Sequence, residues 1–216
     1  NNAGYLELLK QEALTGETPE KLANSKASRI PLPDMVFAAN NICNTILKWY
    51  ENFAKELNIP FICIDMPFNH TMPMTRHTKE YIVGQFQAVI KQLEEICGRP
   101  FNYEKFYQAQ CQCQRTVYQW NRVASFAQKK PSPLNGFDLF NYMAMVVVCR
   151  SKPYSEITLR RFADELEEKN RIGKYAFGDA ENEQHRITWA GIAVWPYLGG
   201  TFKELKNEKT VMTGSA

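Results

Sequence analysis

The sequence has no cluster of lysines and arginines interleaved with aromatic residues: its 26 basic and 23 acidic side chains are spread along 216 residues, for a net charge of +3. That excludes the basic face a nucleic-acid surface requires. No apolar run approaches the roughly 20 residues of a membrane-spanning helix, and the first residues, NNAGYLELL, have neither the basic lead nor the apolar stretch of a signal peptide. The expectation is a soluble, cytoplasmic protein with no nucleic-acid or membrane partner. Histidine is scarce, with three in the chain. None forms the H-x-x-x-H or H-E-x-x-H spacing of a helix-borne zinc site. There is no C-x-x-C pair, no G-x-S-x-G elbow, no Walker loop and no G-x-G-x-x-G turn.

What is present is a globular composition, 44% hydrophobic and 23% charged, enough for a real core. Six cysteines occur, at positions 43, 63, 97, 111, 113 and 149. A chain of this size does not need disulfide staples, so they read as reduced thiols or metal ligands. Cys111 and Cys113 fall inside a helical pattern, which turns their side chains about 200° apart and keeps them off one metal.

Apolar spacing gives an α/β order. Short helices are expected over Tyr5 to Leu14 and Pro19 to Ser25. The prolines at 31 and 33 then favour extended backbone, and Met35 to Ala39 reads as a buried strand. Ile46, Trp49, Tyr50, Phe53 and Leu57 mark one buried helical stripe, with Lys48, Glu51, Lys55 and Glu56 opposite. Phe61 to Ile64 is a continuous apolar run, as in a parallel strand covered on both faces. Strand, helix and strand make a βαβ unit. Helices are expected over His77 to Cys97, with a stripe that includes Tyr81, Phe86 and Val89, and over Asn102 to Lys129, with Phe106, Cys113, Val117, Trp120, Ala124 and Ala127 inward. Asn135 to Cys149 reads as a helix apolar nearly all round, hence buried, and Tyr154 to Lys169 as a fourth. An extended segment, His185 to Pro196, a helix over Thr201 to Lys206 and a strand over Thr210 to Thr213 follow.

In parallel sheets ligands gather at the carboxyl ends of strands, and both NNICN (Asn40 to Asn44) and DMPFNH (Asp65 to His70) lie there. Cys43 sits between a strand and a helix start. Backbone N–H groups and the helix dipole favour thiolate at such a place, and a thiolate binds iron or zinc. The alternative is a small apolar filler, and position alone leaves both open. Cys63 in its strand, Cys97, Cys113 and Cys149 read as packing and Cys111 as partly exposed. Asp65 reads as a site carboxylate or an ordinary cap.

The run IPLPDMVFAANNICNTILKWYENFAKELNIPFICIDMPFN (Ile30 to Asn69), with KPSPLNGFDLFNYM (Lys130 to Met143) and EQHRITWAGIAVWPYL (Glu183 to Leu198), resembles the 2-hydroxyacyl-CoA dehydratase family, related to the subunits of benzoyl-CoA reductase. The resemblance covers the chain from about residue 29 onward. It implies an open parallel-sheet, flavodoxin-like βαβ element with a large helical segment and the start of a second α/β domain. The corresponding division is 1–69, the last part of a first α/β domain with the cluster cysteine; 70–184, helical; and 185–216, the start of the second domain. The chain then reads as a piece of a longer polypeptide.

Family members hold a 4Fe-4S cluster through three cysteines from distant parts of the chain, and the cysteine of the N-I-C-N motif falls on Cys43. The other two are expected upstream of residue 1 and beyond Ala216, with Asn41 and Asn44 as outer-shell candidates and a flavin as a further expectation for the full complex. The implied reaction removes water from a (R)-2-hydroxyacyl-CoA, here 2-hydroxyglutaryl-CoA, through a ketyl radical. Implied partners are a homologous second subunit and an ATP-dependent iron–sulfur activator. Alternatives are a ring-reducing subunit of the benzoyl-CoA reductase type and a non-catalytic electron-relay or structural subunit.

Overall fold

The computed structural model describes residues 2–24, 32–41 and 43–215. Ser25 of the second expected helix, Pro31 of the extended segment and Ile42 of NNICN lie outside these. The fold is α/β, in two compact units, 1–101 and 102–216.

In the first unit, α1 (Asn2–Thr15) and the short α2 (Glu20–Ala23) precede β1 (Val36–Ala39), α3 (Asn44–Leu57), β2 (Phe61–Ile64) and α4 (Arg76–Cys97). β1 and β2 pair in parallel from Val36 opposite Phe61 to Ala39 opposite Ile64. The α3 stripe folds onto one face, where Phe53 and Ala54 bury against Val36, Ile59 and Phe61. α3 stops where Asn58 turns left-handed at φ 51°, ahead of Pro60, which has no N–H to continue a helix. On the other face Ile62 and Ile64 bury against Val89, Leu93 and Ile96 of α4. Thr75 caps α4 by accepting from the Thr78 N–H at 3.2 Å, and Gly98, at φ 63°, ends it.

The second unit contains α5 (Tyr103–Ser125), α6 (Gly136–Val147), α7 (Pro153–Arg171), β3 (His185–Trp189), α8 (Leu198–Asn207) and β4 (Thr210–Ser215). Val123, Leu134, Leu139, Phe162, Ala163 and Leu166 form one core. A second gathers Phe137, Phe140, Ala193 and Met212, with Trp189, Leu198 and Phe202 at its edge. β3 and β4 are parallel, and Thr213 is an extra residue between the pairs Ile187–Met212 and Thr188–Gly214. Its hydroxyl donates to the Ile187 carbonyl at 3.3 Å.

Several expectations are corrected. The buried face of α5 is Gln112, Thr116, Gln119 and Val123, rotated from the expected stripe, and Phe106 is half exposed. The cause is polar pairing: Gln112 donates to Glu156 of α7 at 3.0 Å, and Thr116 donates to the Arg150 carbonyl at 2.8 Å. Satisfied this way, polar side chains can be buried as fully as apolar ones. Cys63 and Cys97 are exposed rather than packed, because Cys63 points away from the Ile62–Ile64 side of its strand and Cys97 lies at the last turn of α4. α6 is buried at Phe137, Leu139 and Phe140, but its end is not: Val147 and Val148 stand in solvent. On α4, Tyr81 and Phe86 are exposed, and Gln85 takes the inward place between them. The extended backbone from His185 ends at Trp189, and β4 runs on to Ser215.

Candidate functional site

Cys43 is the N-cap residue of α3, with φ −58° and ψ 124°. Its carbonyl accepts the first two helical bonds, from the Ile46 N–H at 3.1 Å and the Leu47 N–H at 3.2 Å. The side chain is exposed, so it fills no core. Its thiol closes no cap hydrogen bond of full geometry. The Ile46 N–H first, then the Thr45 hydroxyl and N–H, nonetheless turn positive charge toward the sulfur, and its pKa lies below the ordinary thiol value. The sulfur thus ionises more readily than an ordinary thiol and is exposed at the carboxyl end of a parallel strand pair. Asn41 and Asn44, on either side in the chain, are exposed as well.

Three residues before Cys43, a network ties the strand ends together. The Asn40 N–H donates to the Ile64 carbonyl at 3.1 Å, extending the ladder. The Asn40 side chain then works twice: its Oδ1 accepts from the Met66 N–H at 2.7 Å, and its Nδ2 donates to Asp65 Oδ1. The other carboxylate oxygen, Oδ2, accepts from the Tyr81 hydroxyl at 2.6 Å. Gln85, one turn further along α4, grips the Asp65 backbone from both sides, accepting from its N–H at 2.7 Å and donating to its carbonyl at 2.6 Å. Asp65 is therefore the hub of a built arrangement, beyond a simple strand cap. Tyr81 and Gln85 escaped sequence reasoning, although their i, i+4 spacing places them on one helix face.

The remaining candidates do not converge on Cys43. Among the described residues, no three His, Cys, Asp or Glu side chains gather as a group able to hold a metal. His70 packs edge-on against Phe68, with ring centres 4.6 Å apart. As a donor, Cys43 suits an iron–sulfur cluster: it is soft, ionisable and outward-facing. By itself it offers a single sulfur donor. No helix among the described residues is long and apolar enough to cross a membrane.

Residues 14–215 match the family model described as 2-hydroxyglutaryl-CoA dehydratase, D-component. The chain is 60% identical, over 215 residues, to the lactoyl-CoA dehydratase subunit alpha of Anaerotignum propionicum, covering 100% of this chain and 50% of that protein. It is 44% identical to the (R)-phenyllactyl-CoA dehydratase alpha subunit of Clostridium sporogenes, covering 82% and 43%. It is 41% identical to the (R)-2-hydroxyglutaryl-CoA dehydratase subunit alpha of Acidaminococcus fermentans, covering 86% and 38%. The chain spans half or less of the length of these curated relatives.

Proposed function

Because the chain belongs to the 2-hydroxyglutaryl-CoA dehydratase D-component family, we propose that it is part of the alpha-type subunit of a (R)-2-hydroxyacyl-CoA dehydratase, with Cys43 as one thiolate ligand of an iron–sulfur cluster. The observation that carries the ligand assignment is the exposed sulfur at the start of α3, whose pKa the Ile46 N–H and Thr45 lower. It lies where a parallel sheet presents its ligand edge.

When bound, the cluster supplies one-electron chemistry at low potential. The reaction needs it because the hydroxyl leaves from the carbon next to the thioester, while the proton leaves from the following carbon, which the carbonyl does not acidify. What this chain contributes is positional. The Cys43 carbonyl is committed to the first turn of α3, so the sulfur projects from the start of that helix. A homologous second subunit and an ATP-dependent iron–sulfur activator complete the proposal. The names of the relatives, all dehydratase alpha subunits, support the first of these.

For the acyl group, 60% identity to a protein named for lactoyl-CoA against 41% to one named for 2-hydroxyglutaryl-CoA favours a short uncharged acyl chain over the glutaryl group. The test is the full-length protein, purified without oxygen and assayed with partner subunit, activator, ATP and reductant on lactoyl-CoA and 2-hydroxyglutaryl-CoA. Faster dehydration of lactoyl-CoA is expected. Faster turnover of the glutaryl substrate overturns the acyl assignment, and no dehydration of either overturns the activity.

A further inference from the structure

We propose that Asn40, Asp65, Tyr81 and Gln85 form a positioning network that fixes where the Cys43 sulfur points, and so sets the affinity and electronic properties of the metal centre it helps to hold. This rests on the ligand role proposed for Cys43.

Covalent proximity makes the first link. Asn40 is the last residue bonded into the β1–β2 ladder, and the turn carrying Cys43 starts from it. A chain leaving a two-stranded edge would be free to swing unless its exit were pinned, and here it is pinned twice by one side chain. The Asn40 amide takes the Met66 N–H on its oxygen and gives its N–H to Asp65, so it cannot rotate without breaking both bonds.

The second link is that Asp65 is itself held from a different element. An ionised carboxylate is an acceptor only. Asp65 has one oxygen on Asn40 and the other on the Tyr81 hydroxyl, while Gln85 fixes its backbone N–H and carbonyl. The side chains are in good part exposed, and Tyr81 retains 44% of its accessible surface. Burial of apolar surface therefore does not account for the arrangement. A fold held together by Ile62, Ile64 and Val89 does not need four polar side chains converging at the exit of the ligand turn. Their convergence at that point resembles the outer-shell partners that orient metal ligands elsewhere.

The third link is proximity in the chain: the network holds Asn40, Cys43 caps α3, and two residues separate them in the sequence.

The experiment uses the full-length protein, purified without oxygen, with Tyr81→Phe, Asp65→Asn and Cys43→Ser variants. Tyr81→Phe deletes one hydroxyl from an exposed ring. Asp65→Asn replaces one of the two carboxylate oxygens, which accept from Asn40 and Tyr81, with a donor. Iron per chain, iron retention against a chelator, the electron paramagnetic resonance spectrum of the reduced cluster and the melting temperature are measured. Expected are a near-native melting temperature for Tyr81→Phe, an altered spectrum for both network variants, and iron loss at about tenfold lower chelator concentration, the size typical of outer-shell substitutions. A merely structural network would lower the melting temperature and leave the spectrum as it was. Unchanged spectrum and chelator resistance in Tyr81→Phe, with iron lost in Cys43→Ser, overturn the positioning role alone. Full iron in Cys43→Ser overturns the ligand role and this inference with it. Should Asp65→Asn fail to fold, Tyr81→Phe decides the matter by itself.

Discussion

The Tyr81 hydroxyl donates to Asp65 Oδ2 at 2.6 Å, across from the second turn of α4 to the residue that follows β2. The bond exists only while the phenol keeps its proton, and the neighbouring carboxylate opposes phenolate formation. The hydrogen bond to Asp65 is the main reason the Tyr81 pKa lies above the ordinary tyrosine value, with slight burial and the carboxylate's charge adding to it. Because the folded pKa is the higher one, the bond's contribution is complete below the unfolded value near 10 and disappears as pH rises through the folded value. Phenolate absorbance followed with pH should show one fewer late-titrating tyrosine in Tyr81→Phe. Asp65→Asn should bring Tyr81 back toward the ordinary range.

The same substitution at two glycines should have opposite signs. A Cβ on Gly136 would lie 2.6 Å from the Met212 carbonyl oxygen and 2.9 Å from its Cε, so the start of α6 would have to move off β4. Gly136→Ala should cost about 1–3 kcal/mol, as overpacking does. Gly84, inside α4, has nothing within 4 Å of where its Cβ would be. There alanine adds helix propensity with no collision, and Gly84→Ala should stabilise by about 0.5–1 kcal/mol. Urea unfolding of both variants checks the pair.

The βαβ element was legible because its strands are unbroken apolar runs and its helix carries one stripe, but burial is one-sided: Phe37 of the expected buried strand and Ile46 of the expected stripe are exposed, and so is Cys63. α5 was misread for a different reason. Gln112 and Thr116 are inside because α7 and the turn at Arg150 offer them partners, and a helical wheel cannot show a partner 34 or 44 residues away; Gln119 accepts from Arg122 of its own helix. The site divides in the same way. Cys43 stood out from its own neighbours, since a helix start and a strand end are local events. The Asn40–Asp65 link joins residues 25 apart, and Tyr81 counts as apolar in a helical stripe because of its ring, although its hydroxyl is what bonds Asp65. Cys63 reads as core in the sequence because a short continuous apolar run hides which side of the strand each residue takes.

Asp138 gives a second pH dependence. Burial raises its carboxyl pKa above the ordinary value, against the opposing pull of Lys169 and the Asn135 N–H and with a small push from Glu165. In the interval between the unfolded and folded pKa values, the unfolded chain has released the proton and the folded chain retains it. Stability therefore falls as pH rises through that interval, and above it the loss is complete. Melting temperatures of wild type and Asp138→Asn, measured from pH 3.5 to neutrality, should diverge in that direction: the difference, variant minus wild type, grows with pH. A difference that shrinks with rising pH contradicts the buried-carboxyl account.

Cys43 allows ligand loss to be separated from fold loss. Its side chain is exposed and makes no full cap bond, so removing the sulfur leaves neither a cavity nor an unsatisfied partner. Cys43→Ala should therefore keep the far-ultraviolet circular dichroism of the wild type while iron per chain falls. Cys43→Ser adds a contrast. Serine is among the best N-cap residues and alanine among the poorest, so in metal-free protein Cys43→Ser should melt about 2–4 °C above Cys43→Ala. Both should be equally poor at holding iron if a thiolate is what the centre requires, since a serine hydroxyl is a hard donor that stays protonated at neutral pH. A serine variant that holds iron like the wild type would make the sulfur dispensable. An alanine variant that loses iron together with its helical signal would make Cys43 a part of the fold instead of a ligand. The expected pattern, cap stability restored by serine but iron restored by neither, is the one that only ligation by the Cys43 thiolate produces.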